Sequence, residues 1–290
     1  MVTFCTISTE SHLFKTYALA DSLRTFGGTL KVLIVDSEEV KNVENIPSNI
    51  QFHFLEQLSS ERIELTKKAY KKDKLRWALK PAYLLYLLSE YQELIYLDND
   101  IFFYNGYNFL FEELQDYNVL LTPHFYPNSP KNEQTWLEAN FRFGLYNAGF
   151  IGVKKKATEV LEWWSDCCLY EMKRSYWRGL FDDQKYLDLV PVLFDDVKII
   201  KNKGYNVAGW NDQVPLYEDE IIFIHFNVFT LSKFKLKEHI YNPQFNLYIK
   251  ALKKYKPSFI LKAKRFDKFK VTNALYFLRW KLVRVLKYKS

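Results

Sequence analysis

Asp98 and Asp100 stand either side of Asn99, at the end of the apolar run Leu94-Ile95-Tyr96-Leu97. Residues two apart on an extended chain point to the same side. If Leu97 ends a strand, both carboxylates can turn toward one hard cation. Two carboxylates this close repel unless positive charge lies between them. Mg²⁺ or Mn²⁺ held by carboxylates and substrate phosphates is the usual resolution. A bare Asp-x-Asp is more often an acidic turn that caps the next element. Here a β-forming run delivers the pair and a second run, Ile101-Phe102-Phe103, follows at once. That context puts the carboxylates at the edge of a core.

The surrounding elements must deliver this pair, and they alternate strand with helix. Strands are expected at Val2 to Ile7, Lys31 to Asp36, Gln51 to Leu55, Leu94 to Leu97, Val119 to Pro123, Asn147 to Val153, Val197 to Ile200 and Ile221 to His225. The second is nearly all Val, Ile and Leu, as a strand buried on both faces should be. Helices are expected at Ser11 to Thr25, Leu75 to Tyr91 and Ala157 to Met172, with another starting at Asp183. Pro81 should begin or kink the second helix. The pattern implies an α/β fold with a mixed, mostly parallel sheet, whose ligands gather at the carboxyl ends of its strands.

The stretch Tyr96-Leu97-Asp98-Asn99-Asp100 resembles the Asp-x-Asp signature of GT-A-fold nucleotide-sugar glycosyltransferases. It is most similar to glycosyltransferase family 8, the glycogenin and bacterial galactosyltransferase group. Further matches follow in order: Asn147-Ala148-Gly149, Asp183-Gln184 and His225. The resemblance covers roughly residues 1 to 235, a GT-A domain, and leaves 236 to 290 as a basic amphipathic segment. It implies Asp98, Asp100 and His225 as ligands of Mn²⁺ or Mg²⁺, and Asp183 and Gln184 beside the reacting sugar carbon. It implies a donor site formed by Thr6, Ser8, Lys80 or Arg76, Asp98, Asn99, Asn147 and Gly149. A histidine ending an apolar strand is by itself more often a hydrogen-bonding residue at the core edge. The family's His-x-x-Gly-x-x-Lys is changed here: Val228 and Leu231 occupy the last two places, with Lys233 nearby as the substitute cation.

Bulk properties agree. At 48% apolar residues a 290-residue chain can hold a large core. Aromatics at 18% exceed ordinary need, and an aromatic face can stack on a pyranose. Cys5, Cys167 and Cys168 have neither disulfide nor zinc spacing, which suits a reducing, cytoplasmic setting. The N-terminus has no signal-peptide pattern, and no window reaches the ~18 apolar residues of a spanning helix. Charge is uneven: from Lys262 to Ser290, seven Lys and three Arg oppose Asp267 alone, giving 10 − 1 = +9 of a total of +7. In helical spacing Val271, Ala274, Leu275, Leu278, Leu282, Val285 and Leu286 share one face. That pattern suits an interfacial helix on the anionic inner membrane surface, or a terminal helix packed on the body. No nucleic-acid reader motif accompanies the charge.

These features lead us to expect a metal-dependent glycosyltransferase that moves a sugar from a nucleotide-diphosphate sugar, a UDP-sugar by resemblance. The acceptor would be a saccharide or lipid-linked saccharide, and the resemblance implies a retaining enzyme. Two alternatives are a metal-dependent phosphohydrolase and a catalytically silent sugar- or lipid-binding module. The phosphohydrolase reading expects the acidic motif near the first strand, whereas several elements precede it here.

Overall fold

Alternating apolar residues with β-branched or aromatic side chains make the central strands, and nearly all of them are buried on both faces. The computed structural model describes residues 3–41, 45–213 and 215–261. Its strands are β1 (Thr3–Ser8), β2 (Thr29–Ile34), β3 (Ile50–Phe54), β4 (Glu93–Leu97), β5 (Ile101–Phe103), β6 (Val119–Pro123), β7 (Tyr146–Lys154), β8 (Arg174–Ser175), β9 (Leu180–Phe181), β10 (Val197–Ile199) and β11 (Phe223–His225). The α-helices are α1 (Leu13–Arg24), α2 (Glu61–Ala69), α3 (Lys72–Leu87), α4 (Asn108–Asp116), α5 (Gln134–Phe143), α6 (Thr158–Tyr170), α7 (Val190–Leu193), α8 (Val228–Phe234) and α9 (Asn242–Tyr255). Helix α3 begins at Lys72 and runs through Pro81. It therefore does not start at the proline. The helix expected from Asp183 is a 3₁₀ turn over Lys185–Leu189 that leads into α7.

Seven strands form one sheet in the order β10-β6-β7-β4-β1-β2-β3. All neighbours are parallel except β7, which runs antiparallel to both β4 and β6. One face packs on α2, α3 and α6 through residues such as Leu79, Tyr83, Tyr96 and Trp164. The other packs on α1 and α4 through Phe4, Leu23, Leu97 and Leu110. The expected α/β architecture with a mixed, mostly parallel sheet is the one observed.

Two pairings position the acidic motif. Because β7 is antiparallel, its first residues lie beside the carboxyl end of β4. Leu97 pairs with Phe150, and Asp98 N–H continues the ladder by donating to Gly149 O at 2.8 Å. The chain then turns tightly, with Ile101 N–H donating to Asp98 O at 3.1 Å, and enters β5. Strand β5 pairs antiparallel with β11, and the register sets His225 opposite Ile101. That register carries His225 to the residue next to Asp100. Buried rings pin this ribbon to the sheet: Phe223 stacks on Phe150 with centroids 5.8 Å apart and meets Phe103 at 5.2 Å. Each such phenylalanine contributes roughly 1.5–3 kcal/mol by burial. Gly204 secures the far side of β11, since its carbonyl accepts from Ile222 and Phe223. A side chain there would overlap the Glu220 carbonyl oxygen.

The first compact unit spans Met1–Pro257 and so extends past residue 235. Helix α9 lies on α1 within it: the Tyr17 and Tyr255 rings are 5.2 Å apart, and Tyr255 OH donates to Asp21. Among the described residues no helix is long and apolar enough to cross a membrane. The second unit is Ser258–Ser290. The amphipathic stripe from Val271 to Leu286, and the membrane contact expected of it, lie outside the described residues.

Candidate metal and donor-sugar site

Two acidic groups follow β4 and a third, Asp183, comes in from the loop after β9, each answered by a cation or a proton donor. One ligand atom each from Asp98, Asp100 and His225 can be chosen so that all lie within 4.8 Å of one another. His225 Nε2 is 3.1 Å from Asp100 Oδ1 and 3.9 Å from Asp98 Oδ2. Two carboxylates and one imidazole converging this way suit Mn²⁺ or Mg²⁺. Gly149 keeps the space open: a Cβ there would come within 2.7 Å of His225 Cε1 and 3.0 Å of Asp98 Oδ2.

Asn147 orients the imidazole. Its Nδ2 lies 2.9 Å from His225 Nδ1 and 2.6 Å from Asn206 Oδ1, while its Oδ1 accepts from Gly149 N–H at 2.9 Å. Asn206 is in turn fixed by donating to Pro123 O at 2.9 Å. The ring is thereby held with Nε2 toward the carboxylates, and with the Asn147 amide donating to Nδ1 the ring proton lies on Nε2, beside Asp100. Ligation through Nε2 places the ring proton on Nδ1, so it requires the Asn147 oxygen to face the ring.

Lys80 joins this cluster to Asp183. Its Nζ is 3.3 Å from Asp98 Oδ1, 2.9 Å from Asp183 Oδ2 and 2.9 Å from Ala148 O. Lys80 thus donates a hydrogen bond to Ala148 O and forms ion pairs with two carboxylates, and it is only 2% exposed. Burial works against the charge on Lys80, but Asp183 and Asp98 more than offset it and raise its pKa above the ordinary value. Tyr96 OH adds a donor to Asp98 Oδ1 at 3.0 Å. On the other side, Lys15 Nζ of α1 lies 3.5 Å from Asp100 Oδ2. Burial pushes the Asp100 carboxyl up, yet Lys15 and His225 outweigh it and hold Asp100 well below the usual carboxylate range.

Of the residues singled out in the sequence, Asp98, Asp100, His225, Asn147, Gly149, Lys80 and Asp183 come together here. Gln184 sits beside them: its Oε1 accepts from Ala148 N–H at 3.4 Å and its Nε2 donates to Phe143 O at 2.7 Å. Asp183 pairs with Lys80, while the 3₁₀ turn that follows has no side-chain cap. Ser8 and Asn99 meet on the α1 side, Asn99 Nδ2 donating to Ser8 Oγ at 3.3 Å. Thr6 is fully buried within β1, two residues short of that contact. Arg76 pairs with Asp73 on its own helix and acts electrostatically on His12. Lys233 bonds to Asp212 Oδ1 at 2.6 Å and Gly209 O at 3.0 Å, and both partners are structural.

Sequence reasoning missed Lys15, Tyr96, Asn206, His124 and Trp210. The Trp210 ring bridges His225 and His124, at 5.7 and 5.6 Å. His124 is 3% exposed, stacks on Tyr126 with centroids 4.6 Å apart, and its Nδ1 has no partner. Burial pushes the His124 pKa down from 6.5 to about 3. The unfolded chain therefore takes up a proton near pH 6.5 that the folded chain refuses until about pH 3. Stability from this residue is complete above 6.5 and is lost as pH falls through that window, by about 1.4 kcal/mol per pH unit. Denaturant unfolding of the wild type and of His124→Gln at a series of pH values checks this. The wild type should lose about 2–3 kcal/mol more than the variant between pH 6 and pH 4. Parallel curves would contradict the burial of a neutral ring.

No protein-family model matches the chain. The uncharacterized protein YfnD of Bacillus subtilis (strain 168) is 30% identical over 250 residues, covering 79% of this chain and 78% of that protein. YfnF of the same organism is 29% identical over 245 residues, covering 77% and 80%. Among solved structures, the galactosyltransferase LgtC, in complex with donor and acceptor sugar analogs, is similar with a TM-score of 0.52 at 13% identity. That match covers 87% of this chain and 96% of LgtC. The glycosyltransferase GlyE of Streptococcus pneumoniae TIGR4 gives 0.54 at 12% identity, over 91% of this chain and 66% of GlyE. The bifunctional glycosyltransferase WbbM gives 0.53 at 13% identity over 87% of this chain, which spans about half of WbbM, 49%. The fold is thus the GT-A type found in these glycosyltransferases, and the chain belongs to the family of Bacillus subtilis YfnD.

Proposed function

We propose that this chain is a metal-dependent glycosyltransferase of the glycosyltransferase family 8 kind, acting on a nucleotide-diphosphate sugar with UDP as the expected nucleotide. The observation that carries the reading is the convergence of Asp98, Asp100 and His225 on one point, with Asp183 tied to the same cluster through Lys80. A phosphate-binding metal and a group for the sugar would then lie together at the carboxyl ends of the strands, where open α/β sheets bind ligands.

Asp98, Asp100 and His225 would hold Mn²⁺ or Mg²⁺, which when bound neutralises charge growing on the departing diphosphate. The chain's own residues do the rest. Asn147 keeps the His225 ring turned to the carboxylates, and Gly149 leaves room for the donor to approach the backbone. Ser8 and Asn99 line the donor side beyond β1. Lys80 holds Asp183 and Asp98 at fixed separation and works against the burial that raises the Asp183 pKa. Asp183 and the Gln184 amide supply fixed polar groups beside the sugar, which a transition state of oxocarbenium character needs in place of water. Retention follows the family resemblance.

Nucleotide release from a panel of nucleotide sugars with Mn²⁺ tests the activity. We expect Asp98→Asn and Asp100→Asn each to lower turnover at least ~100-fold, on the scale of losing a metal that stabilises the transition state. Thermal unfolding should show both variants folded. Turnover within a few-fold of wild type, or turnover insensitive to chelator, would remove the metal from the mechanism. The anomeric configuration of the product, read by NMR, decides between retention and inversion.

We further propose that the basic segment from Lys262 onward docks on an anionic lipid surface and brings the enzyme to a lipid-linked saccharide acceptor. The charge of +9 on that segment motivates the reading. Full-length protein should sediment with anionic vesicles at low salt, and a chain ending at Leu261 should not. Equal sedimentation of the two chains, or none by full-length protein, would refute it.

A further inference from the structure

The two lysines at the cluster are held very differently. Lys80 is buried, bonded to Ala148 O and ion-paired with both Asp98 and Asp183. Lys15 reaches Asp100 from α1 by one contact of 3.5 Å, and its side chain keeps 18% of its surface in solvent. The lysine stem is long and flexible, so Lys15 can exchange Asp100 for another anion nearby, whereas Lys80 is enclosed by its partners. Asp100 is also the carboxylate that His225 approaches most closely, at 3.1 Å. A dication at the cluster would share Asp100 with a cation already there.

Charge bookkeeping gives this consequence. Asp98, Asp100 and Asp183 carry three negative charges against two positive ones on Lys15 and Lys80. A dication added alone turns that surplus positive and must also displace or repel Lys15. A nucleoside diphosphate added with it restores the balance and offers Lys15 new anionic oxygens just beyond Asp100. We propose that Lys15 is an internal competitor for the metal site, which makes divalent-ion binding weak alone and firm only when a nucleoside diphosphate draws Lys15 away. The inference rests on the metal and donor reading above. It assigns Lys15 to the coupling between metal and nucleotide, a role distinct from ligation of the metal. Coupling of this kind is reciprocal: the nucleotide strengthens metal binding by the factor with which the metal strengthens nucleotide binding.

The test is a set of Mn²⁺ titrations followed by the electron paramagnetic resonance of free Mn²⁺, for wild type and Lys15→Gln, each with and without UDP. GDP and ADP serve as alternative nucleotides, and Asp100→Asn as a control that removes a ligand. In wild type, UDP should tighten Mn²⁺ binding. Lys15→Gln should bind Mn²⁺ alone about tenfold more tightly than wild type, since a unit positive charge within several ångströms is gone. In the same variant, the tightening produced by nucleotide should shrink. A gain of affinity is a readout that damage to the fold does not produce. If Lys15→Gln binds Mn²⁺ no more tightly than wild type, Lys15 is a structural ion pair and the proposal fails while the metal site stands. If neither protein binds Mn²⁺ with any of the nucleotides, the metal reading fails, and the proposal with it.

Discussion

Three carboxylates, two following β4 and one from the loop after β9, are the constraint on which this site depends. Asp98, Asp100 and Asp183 crowd acidic groups into one small region, and the fold answers them with cations from two different helices. Lys80 comes from α3 on one face of the sheet, and Lys15 from α1 on the other. Burying the Lys80 ammonium alone would cost several kcal/mol, and pairing it on both sides offsets that cost. Removing either partner would strand the other charge, so the helices, the strand end and the Asp183 loop are fixed by one electrostatic balance. A metal and a diphosphate would extend that balance.

Backbone pairing brings the charges to the same place. The antiparallel β7 aligns Asn147 and Gly149 beside Asp98, which a parallel neighbour would not do. The β5–β11 register aligns His225 beside Asp100. Both pairings are anchored by apolar side chains, among them Phe150, Phe223 and Phe103, that have no chemistry of their own. A loop with two prolines, Pro127 and Pro130, and a left-handed residue at Phe125, whose φ is 54°, leads from β6 to α5. The His124 carbonyl at its start accepts from both Trp210 Nε1 and Asn211 Nδ2.

The parts legible in the sequence are those with a local signature. Strands β1, β2 and β4 are buried on both faces and read as apolar runs. Asp98, Asp100, Asn147, Asp183 and His225 were found because each sits in a short pattern at a strand end or turn. Helix α5 carried little signal, since Ala139 is its only fully buried residue. Helix α4 was hidden by the aromatic run before it, although Leu110, Phe111 and Leu114 mark its inner face. Lys15, Asn206 and Trp210 could not be singled out, because their roles come from contacts across 85, 59 and 86 residues. The expectation that Pro81 starts or kinks its helix followed a local rule. The helix in fact begins nine residues earlier, at Lys72, and carries Pro81 in its interior.

The central claim is that Asp98, Asp100 and His225 form one metal site. Anomalous scattering from crystals soaked in Mn²⁺ and UDP tests it most directly. The account predicts one strong peak at roughly 2.0–2.3 Å from a carboxylate oxygen of each aspartate and from His225 Nε2, with the Asn147 oxygen turned toward the ring. A peak bound elsewhere, or no peak at the cluster with UDP clearly present, would contradict it.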